Sequence, residues 1–261
     1  MRRMSKVEYT QEELEEAKAY LRDRLRNEQS MSADIHRLLE MYAAYLLTAL
    51  FGNATENDIE LLIQDLIDQL IADVELLSCD THDKKDMILL YLHSERYGDT
   101  IDGRVRNRVN TFYNEVFAVY VAGKLLNKGY DAILSSVKGN FEKPWENPII
   151  VEARERQDRG EIDPDYEFKE PSFGRGVAVS SLTALDTMLT HAIGDAWMYF
   201  GWLDASEKGA KGYYVLRGSS YPCDTCQSHV GIFYDIKDEE NRPPYHAHCV
   251  CFVVYSFVDR I

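Results

Sequence analysis

Four of the five cysteines lie within the last 39 residues, and their spacing constrains this chain more than any other feature of its sequence. Cys223 and Cys226 form a Cys-x-x-Cys pair. After a further 22 residues, Cys249 and Cys251 form a Cys-x-Cys pair. Two thiolates on a tight turn can both face one ion, and a second cluster on a distant turn can complete a tetrahedron around it. The pattern therefore predicts a structural zinc site near the C-terminus.

His246 is a fifth candidate ligand, because it lies three residues before Cys249. If the segment around Cys249 is a strand, alternate residues share a face and both cysteines of the second pair can bind the ion. Equally, His246 can replace one of them, so the ligand set stays open. The predicted metal residues are Cys223, Cys226, His246, Cys249 and Cys251. The nearby His229 and His248 are interpreted as solvated loop residues.

Disulfides, free thiols or a redox use are the alternatives to zinc for these cysteines. A disulfide needs an oxidising compartment. The basic residues at 1–6 are followed by the acidic run 12–16, where a secretion signal would need an apolar stretch. The longest uncharged apolar run, 41–52, is about half the length of a membrane-spanning helix. We therefore expect a soluble, intracellular protein without a membrane segment, and we interpret Cys79 as a buried apolar side chain.

Charge limits the partners that the chain can bind. The 29 Lys and Arg residues against 44 Asp and Glu residues give a net charge of −15. Non-specific nucleic-acid binding depends on neutralising phosphates with basic side chains. Tight nucleic-acid binding is therefore not expected, and a basic protein partner or simple solubility fits the charge better. The sequence leaves the oligomeric state open.

Apolar residues repeat at helical spacing through residues 1–140, which predicts a helical domain. Thr10 can cap the first helix, and Thr55 with Asp58 resembles a capping box. The predicted helices are 11–25, 32–51, 55–77, 83–97, 105–129 and 131–137.

The remainder of the chain divides into two further segments. Residues 141–176 hold four of the seven prolines and are interpreted as an arm or linker that a short helix at 149–159 can interrupt. Residues 177–261 are predicted to hold a helix from 181 to between 201 and 209. Short strands rich in aromatic and β-branched residues follow at 213–216, 232–234 and 250–257. The predicted fold is mainly α with a small C-terminal β-hairpin unit stapled by zinc.

Two enzyme hypotheses follow from the metal motif and are not favoured. Residues 222–226 match one half of the zinc-deaminase signature, and His93-Ser94-Glu95 matches the other, but the proline-rich segment and several helices separate the two halves. A zinc nuclease of the ββα type needs a helix after its second ligand cluster, where residues 252–255 predict a strand. No nucleotide-binding or serine-hydrolase motif appears in the sequence. No catalytic residue is therefore predicted.

The C-terminal motifs resemble those of the phage Mu F-like minor head (head morphogenesis) proteins. They run from Arg217 to Cys226, through Gly231-Ile232-Phe233-Tyr234, to the Pro243–Cys251 segment with its closing His-x-x-Cys-x-Cys pattern. The resemblance extends more loosely over residues 100–255, where a helix opening at Thr100 and the helix at 181–203 match helical stretches of that family.

This resemblance implies a low-copy structural protein of a phage or prophage head, associated with the portal and other head proteins. It would act in virion assembly or DNA delivery, in the host cytoplasm first and then in the virion. The contrasting hypothesis is a zinc-dependent hydrolase or toxin-like enzyme related to phage head proteins. A host-encoded zinc-bearing interaction protein is a third interpretation.

Overall fold

A computed structural model of the chain describes residues 9–80, 82–95, 98–163 and 179–258. Helices make up 65% of the structure, and a small antiparallel sheet of three strands lies near the C-terminus. The predicted mainly α fold with a small C-terminal β unit is therefore confirmed.

The helices are α1 Gln11–Phe51, α2 Glu56–Ser78, α3 Lys85–Leu92, α4 Ile101–Leu125, α5 Tyr130–Lys138, α6 Pro148–Asp158, α7 Ser181–Glu207 and the one-turn α8 Asp224–Gln227. The strands are β1 Gly212–Leu216, β2 Phe233–Asp235 and β3 Phe252–Ser256. Their order in the sheet is β2-β1-β3, and both pairings are antiparallel. In the central strand, Tyr214 lies opposite Phe233 on one side and Val254 on the other.

The first two helices begin where side-chain caps predict. The backbone nitrogen of Glu13 donates to Thr10 Oγ1 at 3.1 Å, which satisfies a donor at the start of α1. Thr55 and Asp58 form a reciprocal capping box at the start of α2. The Asp58 nitrogen donates to Thr55 Oγ1 at 3.3 Å, and the Thr55 nitrogen donates to Asp58 Oδ2 at 2.9 Å.

The break predicted between residues 25 and 32 is wrong, because α1 runs from Gln11 to Phe51 without interruption. The polar residues that interrupt the apolar stripe are themselves buried. Asn27 is 6% exposed and its amide donates to the Leu77 carbonyl at 3.1 Å. Residues 26–31 also contain neither glycine nor proline, so nothing in the backbone ends the helix there.

The described part of the proline-rich segment is folded. Residues 144–146 form a 3-10 turn, and α6 follows with Asn147 accepting a hydrogen bond from the Ile149 nitrogen at 3.0 Å. The predicted short helix within the segment is therefore present. Ile149, Ile150 and Ala153 are buried, and α6 packs against α4. Residues 164–176 of the predicted arm lie outside the described residues.

The chain forms two compact units, each assembled from separate stretches of sequence. The sheet unit comprises Met1–Met31, Val74–Leu92 and Thr187–Ile261. The helical unit comprises Ser32–Asp73 and His93–Asp186. The predicted segments 1–140, 141–176 and 177–261 follow chain order instead, and as domain boundaries they stay a prediction.

The core of the sheet unit forms around the cysteines. Its buried residues are Met198 of α7, Tyr213 and Val215 of β1, Val253 of β3, and the thiols Cys226, Cys249 and Cys251. Tyr20 of α1 and Trp202 of α7 pack against this cluster. The cysteines therefore belong to the core that joins the helices and the sheet of this unit.

Candidate metal centre

The elements around β1 bring the two cysteine pairs together. Cys223 immediately precedes α8, and Cys226 lies on that helix. Cys249 and Cys251 lie directly before β3, whose pairing with β1 brings them back towards α8. His246 lies in the loop before them, so all five predicted residues come from two short segments flanking β2.

The predicted residues form two overlapping groups. His246 Nε2 is 3.2 Å from Cys223 Sγ and 3.1 Å from Cys226 Sγ. Cys226 Sγ is also 3.7 Å from Cys249 Sγ. Each group, the first with His246 and the second with Cys249 and Cys251, has all its ligand atoms within 4.8 Å of one another. Cys226 belongs to both groups, and the cluster can hold a metal ion.

The distances agree with tetrahedral coordination better than with a disulfide. With Zn–S bonds of about 2.3 Å and Zn–N bonds of about 2.0 Å, a tetrahedron places sulfurs about 3.8 Å apart and sulfur about 3.5 Å from nitrogen. The 3.7 Å separation of the Cys226 and Cys249 sulfurs matches the first value, whereas His246 Nε2, at 3.2 and 3.1 Å from the Cys223 and Cys226 sulfurs, is closer than the second. A disulfide needs about 2.05 Å, and all five cysteines of the chain are free thiols.

The ring of His246 is oriented for ligation by its own backbone neighbour. Its Nδ1 lies 2.6 Å from the carbonyl oxygen of Ala247. Because a carbonyl can only accept, Nδ1 carries the hydrogen and Nε2 keeps the lone pair that faces Cys223 and Cys226. Metal-binding histidines commonly have this arrangement, in which the second nitrogen fixes the tautomer.

The thiols differ in burial and in acidity. Cys226 and Cys249 are each 2% exposed and Cys251 is 1% exposed, whereas Cys223 and His246 are half-buried. The hydrogen bond from Cys251 lowers the pKa of Cys249 to about 5. The same hydrogen bond raises the pKa of Cys251, and burial raises the pKa of Cys226 to about 12. A bound cation would favour ionisation of these thiols, because its positive charge offsets the cost of burying a thiolate.

Arg24 contributes to this region, and sequence reasoning missed it. Its Nη2 donates to the Cys249 carbonyl at 2.6 Å and its Nη1 donates to the Cys251 carbonyl at 3.3 Å. The residue lies on α1, 225 positions before Cys249. The only sequence signal was an arginine within the inward-facing stripe of a predicted helix, which does not indicate a partner.

The other residues that the sequence analysis considered lie outside the cluster. His229 stacks on Tyr245 with ring centroids 4.0 Å apart, so it is packed and not a solvated loop residue. His248 is exposed, with a φ of 57°. Cys79 is 6% exposed and packs with Ile88, as expected for a small apolar side chain.

The two halves of the deaminase signature lie in different units. His93 belongs to the helical unit, where its Nδ1 is 2.8 Å from Asp102 Oδ2. Cys223 and Cys226 belong to the sheet unit. The two halves of the signature therefore do not belong to one structural unit.

A cavity of about 260 Å³ lies in the sheet unit, between α1, α7 and β3. Apolar side chains such as Leu21 and Phe252 line much of it, together with Glu13 and Asp204. Among the described residues, those lining this cavity include none of the five candidate ligands. The cavity nevertheless borders the core around the cysteines, because Tyr20, Arg24, Met198 and Val253 line it.

Comparisons with known proteins add no relative. No family model matches the chain, and searches of curated proteins and of solved structures return no match. Among the described residues, no helix has both the length and the apolar character needed to span a bilayer. The fold and the site define a mainly α protein whose small antiparallel sheet is built around a Cys/His cluster able to hold a metal ion.

Proposed function

We propose that this chain is a minor head protein of a phage or prophage, of the Mu F-like type, in which a structural zinc ion closes the C-terminal β unit. The single observation that supports the proposal is the convergence of the five motif residues, Cys223, Cys226, His246, Cys249 and Cys251, at one mostly buried place. These are the residues on which the resemblance to that family depends.

Zinc is the ion that fits this donor set best. Several thiolates and one imidazole in tetrahedral geometry are typical of structural zinc sites, whereas Mg²⁺ and Ca²⁺ prefer oxygen ligands. Five candidates for four places leave no need for water as a ligand. Burial of Cys226, Cys249 and Cys251 at 2% exposure or less supports a closed site. We therefore propose a structural ion and no catalytic step.

The proposed partners are the portal and other head proteins. A net charge of −15 favours basic protein surfaces and opposes retention on packaged DNA. The protein would act in the host cytoplasm during head assembly and then remain in the virion.

Quantitative mass spectrometry of DNA-filled particles from an induced host culture tests the head assignment. Peptides of this chain are expected at a few copies per particle beside the portal and major capsid proteins, which serve as internal standards. Purified empty heads are measured in parallel, since an assembly factor can leave before maturation. Absence from both full particles and empty heads would overturn the assignment.

X-ray absorption of the zinc-loaded protein separates the structural ion from the contrasting hydrolase hypothesis. Four protein ligands are expected. They are either four sulfurs at about 2.3 Å, or three sulfurs with one imidazole nitrogen at about 2.0 Å whose ring adds multiple scattering that a water oxygen lacks. A shell of three protein ligands and one water oxygen would contradict the structural site and favour the enzyme hypothesis.

A further inference from the structure

Arg24 is a buried charged residue that contacts the backbone of the segment carrying Cys249 and Cys251. The residue is 0% exposed, and burying a guanidinium is costly unless its donors are satisfied. Two of its nitrogens donate to the carbonyls of Cys249 and Cys251, at 2.6 and 3.3 Å. Its Nε lies 3.2 Å from Glu28 Oε1, one turn along α1, at an ion-pair distance but without hydrogen-bond geometry.

We infer that Arg24 is a positioning residue for the metal centre, because it holds the backbone of Cys249-Val250-Cys251 in the conformation that directs thiols at Cys226. A planar guanidinium fixes the direction of each donor, so one side chain holding two carbonyls restrains the segment between them. This inference rests on the metal-binding part of the proposed function.

Gly194 leaves space for the Glu28 carboxylate that contacts Arg24. A Cβ atom at Gly194 on α7 would lie 2.6 Å from Glu28 Oε1, which is closer than real Cβ contacts allow. Glycine at this position therefore leaves room for the carboxylate to lie beside Arg24. The arrangement extends from α7 through α1 to the ligand segment, and all of it lies within the sheet unit.

Lysine cannot replace this arginine. Its ammonium group is a compact point charge, whereas the two carbonyls and the Glu28 carboxylate each contact a different nitrogen of one rigid group. An Arg24→Lys variant keeps the charge but loses the simultaneous restraint on both carbonyls. Replacement by lysine therefore separates the effect of charge from that of positioning.

The test measures metal affinity and ligand geometry in the full-length chain. Arg24→Met and Arg24→Lys are compared with Arg22→Met, which changes an exposed residue of the same helix. Zn²⁺ affinity is measured by competition with a chelator, and the absorption spectrum of the Co²⁺-loaded protein reports coordination geometry. Removing groups that orient ligands commonly lowers metal affinity about 10- to 100-fold. We expect a loss of this size for both Arg24 variants, with an altered Co²⁺ spectrum, and no change for Arg22→Met.

The results that would contradict the positioning role differ from those that would contradict the proposed function. A folded Arg24→Met or Arg24→Lys protein with wild-type Zn²⁺ affinity and an unchanged Co²⁺ spectrum would overturn the positioning role. Failure of both variants to fold at saturating Zn²⁺ would also overturn it, since Arg24 would then serve the fold itself. A wild-type chain that binds neither ion would overturn both this inference and the proposed zinc site. Absence from phage particles, by contrast, would affect only the head assignment.

Discussion

The carboxylate of Glu115 on α4 receives two hydrogen bonds from Ser181, the first residue of α7. The Ser181 nitrogen donates at 3.0 Å, and the hydroxyl donates to the other carboxylate oxygen. A carboxylate at a helix N-terminus satisfies a free backbone donor and lies at the positive end of the helix dipole. Glu115 is nevertheless only 5% exposed, and this burial disfavours the charged form of its carboxyl group.

This relationship predicts that the helical unit loses stability as the pH rises. Burial raises the pKa of Glu115 from 4.5 to about 7, although the Ser181 hydrogen bonds oppose the shift. The folded state therefore binds this proton more tightly than the unfolded chain does. The resulting contribution to the free energy of unfolding is fully present below pH 4.5 and is lost as the pH rises to 7, by on the order of 3 kcal/mol.

Denaturant unfolding of Glu115→Gln and of the wild type at pH 4.5 and pH 7.5 tests this prediction. The wild type should lose stability relative to Glu115→Gln over this interval, because glutamine does not ionise. Glu60→Gln on the exposed face of α2 is the control, and its free energy of unfolding should change with pH as that of the wild type does. Parallel pH profiles for Glu115→Gln and the wild type would contradict the assignment.

His82 predicts the opposite pH dependence in the sheet unit. Its ring stacks on Phe200 at 3.9 Å and contacts Trp197 at 4.5 Å, and it is 6% exposed. Among the described residues, its Nε2 has no hydrogen-bond partner. Burial lowers the pKa of His82 from 6.5 to about 4, although Asp80, Asp83 and Asp204 oppose the shift.

The folded protein therefore resists protonation of His82, and the free energy of unfolding should fall as the pH drops from 6.5 to 4. The loss is on the order of 3 kcal/mol. His82→Phe should be less sensitive to acid than the wild type in melting experiments at pH 7.5 and pH 4.5. His36→Phe at an exposed position of α1 is the matched control. An acid sensitivity of His82→Phe equal to that of the wild type would refute the effect.

Serine substitution of each cysteine is expected to rank the ligands. Cys226 belongs to both candidate groups, so Cys226→Ser should lose the most bound zinc. Cys223→Ser should also release zinc, and comparison of Cys249→Ser with Cys251→Ser shows which of these thiols binds the ion. Zinc content by elemental mass spectrometry is the measurement. The control is Cys79→Ser, which should keep full zinc content, and full content in both Cys223→Ser and Cys226→Ser would exclude the site.

Removal of the ion should destabilise the sheet unit and leave the helical unit folded. Structural zinc contributes about 10 kcal/mol or more of apparent free energy in small zinc domains. Here the cysteines also belong to a core shared with Tyr20 of α1 and Met198 of α7. Chelation should therefore raise hydrogen exchange in β1 and β3 and in residues 11–31, while α4 stays protected. Uniform protection before and after chelation would argue against this role.

Gly218 is expected to be intolerant of any side chain. A Cβ atom there would lie 2.0 Å from the carbonyl oxygen of Val250, which lies between the two cysteines of the second pair. Gly218→Ala must therefore displace backbone in the ligand segment, and a loss of about 1–3 kcal/mol is expected. Gly129→Ala, where a Cβ meets nothing within 4 Å, is the comparison in thermal melting. Equal melting of these two variants would contradict the close approach.

Local chemistry made much of this structure predictable. The capping residues Thr10 and Thr55 act through neighbours three positions away, so sequence spacing alone identified two helix starts. The cysteine pairs were equally informative, because metal ligation imposes its own spacing. The cysteine spacing did not identify the exact ligands, because five side chains of suitable chemistry lie close together and a tetrahedral ion needs four.

Long-range partners could not be predicted. Arg24 and Asn27 interrupt an apolar stripe. The sequence alone does not show that these side chains donate hydrogen bonds to distant backbone carbonyls. The break in α1 was predicted because these polar residues were not expected to be buried. The interleaving of the two units has the same origin, because it depends on which distant stretches share a core.

The distance in sequence between Arg24 and Cys249 has a consequence during synthesis. At about 5–20 residues per second, the 225 positions that separate them take roughly 10 to 45 s to translate. Every stretch of the helical unit precedes Cys223, so its chain is complete before the first of the clustered thiols has been made. During this interval α1 presents a guanidinium whose carbonyl partners do not yet exist. Closure of the sheet unit is therefore a late event that must wait for the second cysteine pair.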